Sequence, residues 1–215
     1  MEQPTLEEAA AQHEAISVRA TALMDADPRL PYISAFVIAS DLTQADRSLQ
    51  WLREGKHPWK MAEAFCGSYG RLDLRVRALE EGLISETEAI TDLPGQWSGS
   101  DPDDTDPRFL ALWKSAVRFN GGKYLRDGKP LPRRRHLVVY RGQDEGAPFG
   151  IAWSLDANIA RKFANGAATR QHQRNGVVYH TMVRRIDVLG YMTGRGEAEV
   201  VLDPASLLAT PVVLR

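Results

Sequence analysis

Four side chains in the last third of the sequence carry groups that suit a reaction on a nucleotide. Arg141 ends one short apolar run, Ser154 ends another, and Glu197 and Glu199 stand where a third begins. A planar guanidinium matches the oxygens of a phosphate, and a carboxylate stabilises positive charge that develops in a transition state. If the three runs are strands that line one cleft, the set fits cleavage of a glycosidic bond in a phosphate-bearing nucleotide.

Each of these residues also has a simpler interpretation when it is taken alone. Arg141 is typical of an exposed strand end, and Ser154 of the turn that precedes a helix. Glu197 and Glu199, at positions i and i+2 of a strand, share one face, which is either solvated or part of a cleft. A retaining glycosidase pair is a further interpretation, which the small size of the chain and the lack of an aromatic sugar platform disfavour.

The cysteine and histidine patterns predict neither a disulfide nor a metal site. Cys66 is the only cysteine, and His136, His172 and His180 lack the spacing of metal ligands. The sequence contains neither an HExxH motif nor the GxSxG context of a serine hydrolase. We therefore expect chemistry without a metal.

The overall charge argues against binding to nucleic acid through a global basic field. The 215 residues carry a formal net charge of -1, whereas such binding needs a strongly basic surface. Residues 133–135 are three consecutive arginines and form the candidate for a local basic patch. A short basic run of this kind is more often simply solvated.

No targeting or membrane segment is evident in the sequence. The first residues are acidic and lack the apolar core of a signal peptide. No apolar run approaches the roughly 20 residues that a membrane helix needs. We therefore expect a protein that is cytoplasmic where it is made and does not associate with membranes, and delivery by another route stays open.

Helical patterns fill the first half of the chain. Residues 5–8 and 85–88 each have the spacing of a capping box. The apolar periodicity predicts several helices, one of which begins at Asp41 or Thr43, and Gly82 is placed to end another.

A segment rich in Pro, Gly, Ser and Asp divides the chain. Residues 94–107 have few side chains to bury and are predicted to form a linker. We therefore expect a helical region over residues 1–93 and a second domain over residues 108–215.

From residue 136 the pattern changes to short β-favouring runs, with one helix capped by Asp156. Strands with a single helix among them favour a split, mostly antiparallel sheet over alternating βαβ units. The predicted fold class is α+β, with a helical N-terminal half followed by this sheet. The predicted strands lie at residues 137–140, 150–153, 176–183, 188–191, 199–202 and 211–214.

The order and placement of the motifs resemble the mono-ADP-ribosyltransferase superfamily. Residues 140–142, 153–155 and 197–199 follow its Arg–Ser–Glu branch, which includes bacterial toxins and phage-encoded transferases. The resemblance covers about residues 136–203. It departs from the commonest pattern at residues 154–156, which are Ser-Leu-Asp where many members have Ser-Thr-Ser. It implies an ADP-ribosyltransferase-like core.

The resemblance implies a set of residues that bind NAD. Arg141 would hold the phosphates, and Gly142 would contact nicotinamide or ribose through its backbone. The segment around Phe163 would cover the nicotinamide side, and Arg170 or Arg174 would reach phosphate.

The resemblance also implies three residues that act in catalysis. Ser154 would position Glu199, whose carboxylate would bind a ribose hydroxyl and stabilise the oxocarbenium-like cation as nicotinamide leaves. Glu197 would orient or activate the acceptor, and the turn over residues 191–196 would face it.

The implied function is transfer of ADP-ribose from NAD to a macromolecular acceptor with release of nicotinamide. A glutamate at the position of Glu197 favours a protein arginine as acceptor. An inhibitor or antitoxin protein is a further partner that the resemblance leaves open. ADP-ribosylation of DNA or RNA, hydrolysis of NAD and a non-catalytic interaction module remain as alternatives.

Overall fold

The computed structural model describes residues 5–166 and 176–214. The chain divides into two compact units, Met1–Ile84 and Ser85–Arg215. Arg170 and Arg174, which the resemblance assigns to phosphate, lie outside the described residues. Along the described stretches, no helix has both the length and the apolar character needed to cross a membrane.

The first unit is helical, as predicted. The capping box at its start is present, since the Thr5 hydroxyl accepts from the Glu8 N–H while the Glu8 carboxylate accepts from the Thr5 N–H. Gly82 follows the last helix with φ +70°, the left-handed conformation that favours glycine at a helix end. The helices are α1 (Leu6–Ala26), α2 (Tyr32–Arg53), α3 (Trp59–Ala64) and α4 (Arg71–Glu80).

The predicted helix start at Asp41 or Thr43 is wrong, because α2 continues through both residues. The Asp41 carboxylate accepts a hydrogen bond from the N–H of Tyr69 at 3.1 Å instead of capping a helix. Asp41, a residue type that often caps helices, here binds the segment between α3 and α4 to α2.

The second unit combines four helices with a sheet along its described residues. The helices are α5 (Glu86–Ile90), α6 (Leu93–Ser98), α7 (Pro107–Phe119) and α8 (Ala157–Ala164). The strands are β1 (Leu125–Asp127), β2 (His136–Gln143), β3 (Ala152–Ser154), β4 (Val177–Arg184), β5 (Val188–Met192), β6 (Glu199–Leu202) and β7 (Val212–Val213).

The sheet has seven strands in the order β1-β5-β6-β3-β2-β4-β7. Neighbouring strands are antiparallel except β1 and β5, which are parallel. This confirms the prediction that a helical N-terminal half is followed in sequence by a mostly antiparallel sheet. The described strands form one sheet, however, and not the split sheet that was predicted. Strand β1 was not predicted, because its residues are few and mostly polar.

Two close contacts fix α7 and α6 against the strands. Gly190 of β5 leaves room for the ring of Trp113 in α7, since a Cβ at that position would lie 2.5 Å from the ring. Trp113 is fully buried, and its ring meets that of Trp97 in α6 edge-on, with the centroids 5.7 Å apart. Helix α6 is therefore attached to the sheet partly through α7.

The segment predicted as a linker belongs to the second unit. Its first part is helix α6, in which Pro94 and Trp97 are buried. Further along, the Asp104 backbone carbonyl accepts a hydrogen bond from the N–H of Ile151 at 3.0 Å. The abundance of Pro, Gly, Ser and Asp thus marks an irregular segment that packs against the sheet.

Helix α8 lies directly on strand β2 at Gly142. A Cβ at this position would come within 2.5 Å of the backbone nitrogen of Ala164 and closer still to the carbonyl oxygen of Ala160. Backbone atoms of a helix cannot yield as a flexible side chain can, so only glycine permits this approach.

We expect Gly142→Ala to lower the free energy of unfolding by about 1–3 kcal/mol, the usual cost of forcing a methyl group into a packed site. Urea unfolding followed by circular dichroism measures this change. Wild-type stability in the variant would contradict the close contact between α8 and β2.

Candidate functional site

Strand order places the predicted catalytic segments side by side. Strands β6, β3 and β2 are neighbours, and Ser154 is the register partner of both Glu199 in β6 and Tyr140 in β2. Side chains of directly paired residues lie on the same face of a sheet. Glu199, Ser154 and Tyr140 therefore form one row across three strands, with Arg141 the next residue along β2.

The Glu199 carboxylate is held by a tryptophan from outside the sheet. The indole Nε1–H of Trp97 donates a hydrogen bond of 2.7 Å to Oε1 of Glu199. Trp97 is itself 3% exposed and packs edge-on against Phe109 as well as Trp113. A donor fixed by this packing leaves the carboxylate little freedom to turn.

Glu199 is half-buried, and its environment favours the neutral carboxyl group more than water would. Burial raises the pKa of this carboxyl group from 4.5 to about 7, although the hydrogen bond from Trp97 acts in the opposite direction. The negative charges of Glu197 and Asp104 raise it further, and the positive charge of Arg195 lowers it. Carboxyl groups with such a shift occur often at functional sites.

Ser154 supports the turn before Glu199 instead of the carboxylate itself. Its hydroxyl donates to the backbone carbonyl of Glu197 at 2.7 Å and accepts from the N–H of Asp156 at 3.0 Å. Ser154 thus connects the turn before β6 to the start of α8, where Asp156 caps the helix as predicted. Its effect on Glu199 is indirect.

The backbone between the two glutamates is strained. Ala198 has φ +47°, a left-handed conformation that non-glycine residues rarely adopt, and its carbonyl accepts from the N–H of Leu155 at 2.9 Å. Such strain costs about 1–2 kcal/mol in a residue with a Cβ and concentrates at functional sites. Beside it, Oε1 of Glu197 lies 3.7 Å from Nε of Arg195.

The Arg141 guanidinium is engaged by the segment before α7. Its two terminal nitrogens donate to the two carboxylate oxygens of Asp104 at 2.6 and 3.0 Å. The remaining bonds run from Nε to the Gln143 side chain and from one terminal nitrogen to the carbonyl of Ala152. Asp104 therefore occupies the fork of the guanidinium that a phosphate would use.

The remaining predicted ligand-binding residues lie around α8. Gly142 is paired with Val178 in the sheet, and its missing side chain makes room for α8. Phe163 lies on α8 and is half-buried. By the alternation of a strand, Arg141 points away from the face on which Gly142 meets α8.

The sequence predicts Trp97 as a core or packing residue, which its burial confirms, but sequence reasoning missed that Trp97 and Asp104 contact the two central residues of the site. Both lie in the segment interpreted as a linker. The tryptophan itself could have indicated that the segment packs against the domain, since a large aromatic residue in an otherwise small and polar segment usually has a buried partner. Nothing in the sequence distinguishes Asp104 from its neighbours, because four other aspartates lie nearby, at positions 92, 101, 103 and 106.

Comparisons with known protein families, with curated proteins and with solved structures found no match. Among the described residues, no group of three or more His, Cys, Asp or Glu side chains is arranged to hold a metal ion.

The raised pKa of Glu199 has a consequence for stability that does not depend on any activity. Because the folded-state pKa of about 7 exceeds the ordinary value of 4.5, the neutral carboxyl favours folding below that lower value. This contribution is lost as pH rises through about 7.

We therefore expect Glu199→Gln to become progressively more stable relative to the wild type as pH rises from 4.5 to 7. The difference grows by at most about 1.4 kcal/mol per pH unit and then levels off. Chemical unfolding of both proteins at a series of pH values measures it. A difference that stays constant with pH would show that the Glu199 carboxyl titrates as an ordinary surface group.

Proposed function

We propose that the second unit is an NAD-dependent mono-ADP-ribosyltransferase that modifies arginine side chains of a protein. The observation that carries the proposal is the row formed by Glu199 and Ser154 on neighbouring strands, with Arg141 one residue beyond their partner in β2. By strand alternation the side chain of Arg141 points to the other face of the sheet, but Asp104 links it to the row, because this carboxylate pairs with Arg141 and its charge also acts on Glu199.

The reaction needs the ionised form of Glu199. As the bond between the ribose C1′ and the nicotinamide nitrogen breaks, its electron pair goes to nicotinamide, and positive charge develops on the ribose. A fixed carboxylate beside that charge lowers the barrier most, because it requires no reorganisation during the reaction. The reaction ends when an acceptor nitrogen bonds to C1′ and releases a proton.

The choice of an arginine acceptor is supported by the pair of Glu197 and Arg195. Glu197 already lies beside a guanidinium, with 3.7 Å between Oε1 and Nε of Arg195. An acceptor guanidinium in the same place would have a carboxylate to receive the proton that it loses.

Binding of NAD phosphates to Arg141 requires that Asp104 be displaced. The ion pair between them is well formed, and its side chains are only 14% and 18% exposed. The phosphates bring more negative charge to the guanidinium than one carboxylate does, and they fit its fork equally well. Asp104 thus competes directly with NAD in this mechanism.

Two observations favour other functions. Residues 133–135 are all exposed, as are the nearby basic residues Lys123, Arg126 and Lys129, and this concentration of basic side chains favours a nucleic-acid acceptor. The occupied guanidinium of Arg141 favours a non-catalytic interaction module. Labelled NAD separates the three: label on protein is removed by protease, label on nucleic acid by nuclease, and a non-catalytic module yields none.

We expect Glu199→Gln to lower the rate of nicotinamide release from NAD by at least about 100-fold, since it removes the charge aimed at the cation. Glu145→Gln removes an exposed acidic group of the same unit and serves as the control. Nicotinamide release is followed by chromatography. Near-normal release by the Glu199 variant would refute the catalytic assignment.

Glu197→Gln should separate transfer from cleavage. We expect transfer to the acceptor to fall by about 100-fold, the contribution of a positioned base, while NAD hydrolysis changes much less. Label incorporated into a protein extract and nicotinamide released without acceptor give the two rates. Equal losses in both would argue against a role for Glu197 on the acceptor side.

Asp104→Asn tests whether Arg141 binds the phosphates. We expect the KM for NAD to fall by roughly three- to tenfold, because the guanidinium is free in a larger fraction of molecules. Asp103→Asn makes the same change of charge at an exposed position of the segment. If the fold is intact and the KM of the Asp104 variant is unchanged or raised, Arg141 does not bind the phosphates and its role is structural.

A further inference from the structure

Trp97 makes the contact with the carboxylate that the resemblance assigns to a serine. The nucleotide-cleaving site was expected to use the Ser154 hydroxyl to orient the catalytic carboxylate, but that hydroxyl donates to the carbonyl of Glu197. The donor that contacts the carboxylate of Glu199 is the indole of Trp97, at 2.7 Å. Trp97 is 102 positions away from Glu199 in sequence and outside all three motifs.

We propose that Trp97 is the positioning residue for Glu199. Helix α6 then contributes to the catalytic site by holding the donor that orients the carboxylate. This inference rests on the proposed function of Glu199. A tryptophan donates through one N–H and accepts nothing, so it favours a carboxylate that is ionised or presents its carbonyl oxygen. The indole thereby fixes which oxygen faces α6 and leaves Oε2 for the substrate.

The packing of Trp97 makes this contact directional. Its ring is held edge-on by Phe109 at 6.1 Å and by Trp113 at 5.7 Å between centroids. Because Trp113 is in turn seated on Gly190 of β5, the donor is tied to the strand next to β6. The sheet therefore positions both the carboxylate and the group that orients it.

The other charged groups that act on Glu199 come from neighbouring segments. Glu197 and Asp104 disfavour its ionised form, while Arg195 favours it. Arg195 also donates to the carbonyl of Ser98 at 2.6 Å, so the end of α6 is attached to the turn before β6. A substitution that removes only the indole N–H leaves these charges in place.

The test compares two tryptophans of the same cluster. Trp97→Phe removes the donor to Glu199, whereas Trp113→Phe makes the same change at an indole nitrogen that has no hydrogen-bond partner among the described residues. Both variants replace a buried indole of the same cluster by a smaller ring. Replacing Trp97 by benzothienylalanine, which keeps the bicyclic shape and lacks the N–H, provides a second variant if Trp97→Phe does not fold.

Two readouts are needed. The first is the pKa of the Glu199 carboxyl, followed by NMR in carbon-13-labelled protein with Glu199→Gln as the assignment reference. The second is the pH dependence of kcat/KM for NAD. We expect both midpoints to move up by about one pH unit in the Trp97 variants, a factor of about ten for loss of a hydrogen bond to a charged group.

The outcomes separate the inference from the function on which it rests. Unchanged midpoints in the Trp97 variants, or equal shifts in Trp113→Phe, would overturn the role of Trp97 while a loss of turnover in Glu199→Gln preserved the proposed function. Conversely, a raised carboxyl pKa in a protein that never turns over NAD would overturn the proposed function, although the contact had been demonstrated.

Discussion

The candidate site of the second unit depends on one contact, in which the carboxyl group of Glu199 lies against the indole of Trp97. Burial makes the ionised form of this group costly, and its single tryptophan donor offsets only part of that cost. A folded protein retains such a group at the expense of stability. That expense is readily explained if the ionised carboxylate is needed beside a positive charge, as in cleavage of the nicotinamide bond of NAD.

The surrounding structure holds this group in place through backbone geometry. Strand pairing puts Ser154 opposite Glu199, and the Ser154 hydroxyl fixes the carbonyl of the preceding turn. The strained conformation of Ala198 separates the two glutamates, so that Glu197 approaches Arg195 while Glu199 approaches Trp97. Two acidic side chains that share a sequence motif thereby acquire different partners, which is consistent with different roles on the sugar and acceptor sides.

Much of the fold was predictable from local patterns, and the site only in part. Capping boxes and apolar periodicity depend on near neighbours, so most helices and most strands follow from them, as does the cap at Asp156. The contacts of Trp97 with Glu199 and of Asp104 with Arg141 join distant positions. No spacing rule reports such pairs, and the irregular segment that carries Trp97 and Asp104 looked like a linker because its small and polar residues dominate its composition.

The most direct test is a crystal structure of the protein with a non-hydrolysable NAD analogue. We expect a hydrogen bond of about 3 Å between the Glu199 carboxylate and a hydroxyl of the nicotinamide ribose. We also expect the phosphates on Arg141 with Asp104 displaced, and the indole of Trp97 still bonded to Glu199. An analogue bound away from Glu199, or an Asp104–Arg141 pair that stays closed in the complex, would contradict the catalytic role of Glu199 and the binding of phosphate by Arg141.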